Sequence, residues 1–243
     1  MIDLHCHLLP NVDDGPETLL ESIALAKMAV ADGITVSVLT PHIHPTRYVN
    51  TRTSLQSAFE AFQLALKSEE IPLALRLGGE MRLSPESLDL ILEEEVPFLG
   101  TVDGYRIVLL EFPHQIIPVG SAAFVSKLLS LKIRPLIAHP ERNKIIMSNP
   151  EKVRPFVDMG CWLQVTAGSL VGGFGEAPRK AALHLLKNEL VWVIASDGHN
   201  LAHRPAIMSD GRDAITKLIG ADLAQCMVHD RPADIIGLSP ELQ

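Results

Sequence analysis

Histidines and carboxylates recur in this chain at one kind of place, the end of a short apolar run. Such runs close on His5-Cys6-His7, Thr40-Pro41-His42, Gly79-Glu80, Leu110-Glu111, Ala138-His139 and Asp197-Gly198-His199. A lone histidine at a strand end is usually a hydrogen-bonded structural residue, and H-x-H alone is a moderate signal. Taken together they form a set of nitrogen and oxygen donors, and burying so many ionisable groups in one place is costly unless something pairs them. Divalent cations do this, and imidazole nitrogen and carboxylate oxygen suit them as ligands. In an extended strand the rings of His5 and His7 point to one side and Cys6 to the other. Cys6 is therefore expected to pack rather than to ligate. Asp13 and Asp14 follow the first run; Asp14 can reach the same face, or either of the two caps the next helix. His44, His114, His184, His203 and His229 are read as surface or loop residues, with His44 nearest the cluster and a candidate for touching substrate. Tyr48, Trp162 and Trp192 are expected to pack.

Seven apolar, β-rich runs must position these groups: 1–7, 34–42, 72–80, 105–111, 133–139, 161–166 and 191–197. All but the sixth, which ends on Thr166, stop at a histidine or carboxylate. Continuous apolar runs of this length read as strands buried on both faces, as in parallel sheets. Helix signals fall between them. Pro16 and Glu17 open a segment with Leu19, Leu20, Ile23 and Val30 on one face, closed by Gly33. Asn50 precedes a helix carrying Leu55, Phe59, Phe62 and Leu66. Ser84-Pro85-Glu86 and Asn149-Pro150-Glu151 each look like an N-cap followed by proline at the first helical position, and Gly160 closes the latter helix. Repeated βα units build an open doubly wound sheet or a closed barrel. No glycine-rich phosphate loop follows an early strand, and the Gly168–Gly175 stretch, late in the chain, reads as a mobile loop. In a barrel all strand ends converge on one face, so residues almost 200 positions apart share a pocket.

The 243 residues suit one domain, 47% hydrophobic, with a formal net charge of -8. That charge argues against a nucleic-acid surface. No run is long enough to span a membrane, and the start lacks a secretory pattern, so the cytoplasm is the expected location. The cysteines at 6, 161 and 226 make no C-x-x-C pair. A cysteine-dependent tyrosine phosphatase needs five residues between its thiolate and an arginine; only four separate Cys226 from Arg231.

These motifs resemble the polymerase and histidinol phosphatase (PHP) superfamily, and within it the manganese-dependent bacterial protein-tyrosine phosphatases of capsule and exopolysaccharide operons, the CpsB/CapC type. The resemblance is carried by M-I-D-L-H-C-H-L-L-P-N-V-D-D-G-P at the start, T-P-H at 40–42, G-G-E at 78–80 and L-L-E-F at 109–112. It continues through I-A-H-P-E-R at 137–142, I-A-S-D-G-H-N at 194–200 and R-P-A-D-I-I at 231–236. It implies an α/β fold, a distorted (β/α)7 TIM-like barrel formed by residues 1–243 as a single domain. It also implies three divalent ions, manganese before iron or zinc. His5, His7, Glu80 and Asp197 would hold the first, Glu80, Glu111 and His139 the second, and Asp14, His42 and His199 the third. Arg142 and Arg204 match the family's substrate-phosphate arginines.

The four ligating carboxylates contribute about -4 and three divalent ions about +6, so a filled site in an acidic protein is net positive. The implied activity is hydrolysis of phosphotyrosine on a protein by a metal-activated water, with a bacterial tyrosine autokinase as partner. A histidinol-phosphate or sugar-phosphate phosphatase is the alternative among enzymes, and a regulatory subunit without turnover the alternative outside them. Amidohydrolases, which also begin with H-x-H, usually carry a modified lysine where Glu111 stands and a histidine where Thr166 stands.

Overall fold

The structure, a computed structural model, describes residues 1–238. The strands are β1 (Ile2–Cys6), β2 (Val36–Leu39), β3 (His42–Ile43), β4 (Ala74–Leu77), β5 (Glu80–Arg82), β6 (Gly100–Val102), β7 (Tyr105–Glu111), β8 (Ile133–Ala138), β9 (Trp162–Thr166) and β10 (Val193–Ala195). They form one three-stranded sheet in the order β1-β2-β4, and a larger one ordered β10-β9-β8-β7-β5-β3. All pairings are parallel except that of β6 with β7. On one side the sheets are joined by the chain itself, which runs from β2 into β3 and from β4 into β5; Gly78 N–H donates to Leu39 O at 2.8 Å within the first sheet and Glu80 N–H to Pro41 O at 3.1 Å within the second. On the other side His7 N–H donates to Gly198 O at 2.9 Å and Asp197 N–H to His5 O at 2.8 Å.

Each expected run contains a strand, with two differences. The second and third runs are each split, into β2 and β3 and into β4 and β5. Pro41 has no N–H to give a ladder, and Gly78-Gly79 has no side chain to pack in one. Strand β6 was not expected. It pairs with β7 across Asp103-Gly104, whose φ values are both positive, 51° and 76°; an Asp-Gly pair is the usual sequence of such a tight hairpin.

The helix beginning at Leu19 corrects the expectation for that segment. It starts two residues later than Glu17, where Thr18 and Glu21 form a reciprocal capping box. Leu19 and Leu20 are exposed, and the buried face is Ser22, Leu25, Ala26 and Ala29. The helix Arg52–Ser68 buries Leu55, Phe62 and Leu66 as expected, but Thr51 caps it. Asn50 instead donates to Val12 O and His42 O, both at 2.9 Å, and so ties two loops together. Ser84 caps nothing; the short helix there runs Ser87–Leu92 and has no side-chain cap. Asn149 accepts from Glu151 N–H as a cap should, but it opens a 3-10 turn that precedes the helix Arg154–Asp158.

Residues of alternate strand positions face two separate apolar clusters. Leu163, Val165, Val108, Leu110 and Ile137 pack under the helices. Ile2, Leu4, Ile107, Leu109, Leu136 and Val193 form the inner cluster, against which Ile235 and Ile236 of the helix Arg231–Ile236 are seated. Trp162 and Trp192 stack at 4.6 Å beside this inner cluster, with Arg134 over one ring and Arg231 over the other. Among the described residues no helix is long and apolar enough to cross a membrane.

Gly100 is where the last helix meets the sheet. A Cβ there would run into the carbonyl of Ile235, and backbone cannot yield as a side-chain tip can. Gly100→Ala is therefore expected to destabilise the protein by about 1–3 kcal/mol, measured by urea unfolding. An unchanged midpoint would show that this helix is not held against the hairpin.

Candidate metal and phosphate site

The inner stripe of each strand changes character at its carboxyl end. Ile107 and Leu109 lead to Glu111, Trp162 leads to Gln164, and Val193 and Ala195 lead to Asp197. A register irregularity in β1 between Asp3 and Cys6 lets His5 and His7 join the same stripe. Cys6 points the other way, into the helix-covered core, its Sγ 3.5 Å from Val38 O, and burial pushes its thiol well up.

The hydrogen bonds around the rings fix where their protons are. His139 N–H donates to Gln164 Oε1 at 3.2 Å, so that oxygen is an acceptor, and His5 Nδ1, 2.9 Å from it, carries the hydrogen. His7 Nδ1 donates to Asp13 Oδ2 at 2.7 Å, and His199 Nδ1 to the Asp197 carbonyl at 2.9 Å. In the neutral rings all three Nε2 atoms are left with lone pairs. His5 Nε2 and His7 Nε2 lie 3.2 Å apart, lone pair against lone pair while both rings are neutral.

The carboxylates surround them. Glu80 Oε2 lies 3.4 Å from His5 Nε2, 3.3 Å from His7 Nε2 and 2.9 Å from His42 Nδ1. Its Oε1 is 2.8 Å from His139 Nε2. Asp197 Oδ1 is 3.3 Å from His5 Nε2 and 3.6 Å from His7 Nε2. Asp14 Oδ1 lies 3.1 Å from His42 Nε2 and 3.4 Å from His199 Nε2. Glu80 Oε2, Asp197 Oδ1 and His199 Nε2 are buried without a hydrogen-bond partner. Burying such atoms unsatisfied costs several kcal/mol each.

A divalent ion answers this geometry. Ligand bonds of about 2.1 Å place neighbouring donors roughly 3.0–3.4 Å apart, close to the spacings of His5, His7, Glu80 and Asp197. All nine expected ligands fall into groups whose donor atoms could share an ion. These are His7, Asp14, His42 and His199; His5, His7 and Glu80; His5, His139 and Asp197; and His42, Glu80 and Glu111. The grouping differs in detail from the expected one: His42 stands with Glu80 and Glu111 as well as with Asp14 and His199, and His139 stands with His5 and Asp197. His44, His114, His184, His203 and His229 lie outside these groups.

Electrostatics follow from the same contacts. Burial by itself would depress His5, but Glu80 and Asp197 beside it prevail and raise its pKa to about 9. Burial and then the neighbouring His7 lower His199 to about 4. Asp197 is held well below the usual carboxylate range despite its burial, by Arg142, His5 and Arg204.

Both expected arginines converge on one oxygen. Arg142 Nη1 and Arg204 Nη2 donate to Asp197 Oδ2, the latter at 2.7 Å. Arg142 is packed under the Phe174 ring at 4.6 Å. Asp197 and His139 hold left-handed backbone, φ 53° and 32°, a strain that persists where surroundings over-determine it. Here they do. Asp3 accepts from Ser196 N–H at 3.0 Å and from its hydroxyl at 2.5 Å, locking β1 to the turn before Asp197. Glu141 accepts from Thr166 N–H at 3.0 Å and Ser169 Oγ at 2.7 Å, anchoring the turn that carries Arg142.

Sequence reasoning missed this supporting shell. Asp13 was weighed only as a cap; it orients His7 and accepts from His42 N–H at 2.9 Å. Asp3 and Gln164 carried a signal, each being a polar residue inside an apolar strand run. Tyr48 lies parallel to His42 at 5.5 Å, and no pattern pointed to it or to Phe174.

The chain as a whole matches a known family. Residues 1–237 match the family described as capsular polysaccharide synthesis, CpsB/CapC, and the protein belongs to it. Tyrosine-protein phosphatase YwqE of Bacillus subtilis (strain 168) is 33% identical over 230 residues, covering 95% of this chain and 89% of the relative. Tyrosine-protein phosphatase CpsB of Streptococcus pneumoniae is 32% identical over 241 residues, covering 97% and 98%. A crystal structure from work on these two proteins, described as unique metal-dependent tyrosine phosphatases, superposes with a TM-score of 0.90 at 30% identity, over 98% of this chain and 95% of that one. A phosphotriesterase homology protein of Escherichia coli matches at a TM-score of 0.58 and 13% identity, over 97% and 98% of the two chains. That likeness speaks for the fold alone: mixed α/β with parallel sheet.

The oriented histidines make a direct prediction. In Gln164→Leu the His5 ring loses the acceptor that fixes its tautomer. Affinity for Mn2+ should fall roughly 10- to 100-fold, measured by calorimetric titration into chelator-stripped protein.

Proposed function

We propose that the protein is a metal-dependent phosphatase that removes phosphate from phosphotyrosine on a protein. The observation that carries this reading is the convergence of His5, His7, Glu80, Asp197 and His199 beside two arginines, with Glu80 Oε2, Asp197 Oδ1 and His199 Nε2 buried without a hydrogen-bond partner. The relatives' activity supports it. Three divalent ions, manganese first, are held by His5, His7, Asp14, His42, Glu80, Glu111, His139, Asp197 and His199. Bound cations supply neutralising charge for a phosphate and acidify water for attack on phosphorus.

The chain's own groups do the rest. Arg142 and Arg204 give N–H donors to phosphate oxygens, and their charge is worth most as negative charge shifts on those oxygens in the transition state. Asp197, Asp3 and Phe174 hold the two guanidiniums in place before substrate arrives, so little reorganisation is needed. Asp13, Gln164 and the Asp197 carbonyl keep the rings of His7, His5 and His199 turned with bare nitrogen inward. The phenolate leaving from tyrosine has a pKa of about 10, lower than an alkyl alcohol, so it departs with less protonation. This favours phosphotyrosine over phosphoserine.

We further read the strands as a distorted (β/α)7 barrel in one domain over 1–243, supported by the hydrogen bonds that join β1 to the end of β10 and by the runs that pass from one sheet into the other; residues 239–243 lie outside the described ones. The proposed substrate is the tyrosine-rich tail of a bacterial autokinase governing polysaccharide export, in the cytoplasm.

The deciding experiment compares kcat/KM for a tyrosine-phosphorylated kinase-tail peptide, its phosphoserine counterpart and histidinol phosphate, with Mn2+ supplied. The phosphotyrosine peptide should lead, and a large preference for histidinol phosphate would reverse the reading. Chelation should abolish turnover and Mn2+ restore it. Arg142→Ala should lower kcat/KM by roughly 100- to 1,000-fold, whereas His42→Ala and Asp197→Ala should leave almost none.

A further inference from the structure

One cleft beside the proposed site carries a charge pattern that the phosphate chemistry does not use. It encloses 380 Å³ beyond Arg142, and His114, Lys144, Met147 and Phe174 line it. Lys144 is exposed. Among the described residues no carboxylate stands within ion-pair distance of it, whereas Arg142 and Arg82 are paired with Asp197 and Glu111. The acidic residue in the lining, Glu176, is engaged by Arg179 at 3.5 Å and Lys180 at 3.8 Å. His114 has its pKa lowered by partial burial and then by Lys144, Arg142 and Arg82, which places three cations within electrostatic reach of one ring.

This arrangement is built into the backbone. The buried Asn143 side chain donates to Pro113 O at 2.8 Å and Ile116 O at 2.9 Å, while its oxygen accepts from the N–H groups of Ile145 and Ile146. Lys144 N–H donates to His114 O at 2.8 Å. The loop bearing His114 and the turn bearing Arg142 and Lys144 are thus one piece. A second cleft bordering the site, 400 Å³ in volume, is lined by Asp14, Glu17 and Glu21 and by no lysine or arginine. The two clefts therefore offer a bound polypeptide opposite charge.

We propose that the Lys144 and His114 cleft receives an acidic side chain next to the phosphotyrosine of the substrate polypeptide, and so selects targets carrying Glu or Asp there. This rests on the phosphatase reading above. Arg142 and Lys144 line the same cleft, so with the phosphotyrosine held at Arg142 a neighbouring residue of an extended peptide, which advances about 3.3 Å per position, can present its side chain to Lys144. In a protein of net charge -8, an acidic target needs such a local patch of positive charge.

The test uses full-length wild type and Lys144→Glu, both supplied with Mn2+, on three substrates. These are p-nitrophenyl phosphate, a phosphotyrosine peptide flanked by Glu, and the same peptide flanked by Lys. Wild type should prefer the Glu peptide, and Lys144→Glu should shift the Glu-to-Lys ratio of kcat/KM by roughly 10-fold towards Lys. Turnover of p-nitrophenyl phosphate, too small to enter the cleft, should stay the same. Binding of matching peptides bearing a non-hydrolysable phosphonate, followed by fluorescence anisotropy, should move in parallel and weaken with salt. An identical peptide ratio in both proteins, with p-nitrophenyl phosphate still hydrolysed, overturns the acidic-residue proposal and leaves the phosphatase standing. Wild type that hydrolyses none of the three removes the phosphatase reading and this proposal with it.

Discussion

Two imidazole nitrogens held 3.2 Å apart with their lone pairs facing are the constraint around which the rest of the chain is arranged. Alone, that contact is repulsive, and Glu80 and Asp197 crowd further electron density against it. The rings cannot turn away, because Gln164 and Asp13 hold their other nitrogens. Positive charge must come from protons or from bound cations. Protons are the answer of the bare chain, in which His5 is pushed up to about 9. Cations satisfy more atoms at once, including the orphaned His199 Nε2, which its surroundings keep unprotonated.

That constraint explains why strain is tolerated where it is. Asp197 and His139 sit in left-handed backbone next to the most crowded donors, and each is held by hydrogen bonds from elements far away in sequence. Asp3 reaches residue 196, and Gln164 reaches both His5 and His139. Asp197 links the two functions of the site, with Oδ1 facing the imidazoles and Oδ2 taking both arginines. In the proposed function, metal charge would thereby stand at a fixed distance from guanidinium charge, and a phosphate between them would meet a preformed surface.

The clustering of the proposed ligands could be read from sequence because their positions obey a simple rule: a polar residue at the carboxyl end of an apolar run. His5, His42, Glu80, Glu111, His139 and Asp197 all follow it, and the structure gathers them. The first helix could not be read that way. Leu19 and Leu20 suggested an apolar face, but they lie in the exposed first turn and the buried face is that of Ser22, Leu25, Ala26 and Ala29. Asp13 and Gln164 were harder still, because a residue that acts by holding another's ring leaves no spacing signature of its own. The strand breaks at Pro41 and Gly78-Gly79 were visible as residues, yet their effect depends on which neighbour would have supplied the missing ladder bond. The ambiguity between Asp13 and Asp14 dissolves in three dimensions, where one orients a ring from behind and the other faces His42 and His199.

The stacked pair Trp162 and Trp192 has a spectroscopic corollary. They are the chain's only tryptophans, and they lie at the opposite ends of their strands from the site, sandwiched between two guanidiniums. Two indoles 4.6 Å apart and nearly parallel couple excitonically and quench each other. Tryptophan emission of this protein consequently reports on the β9–β10 floor, at the far end of the strands from the imidazoles.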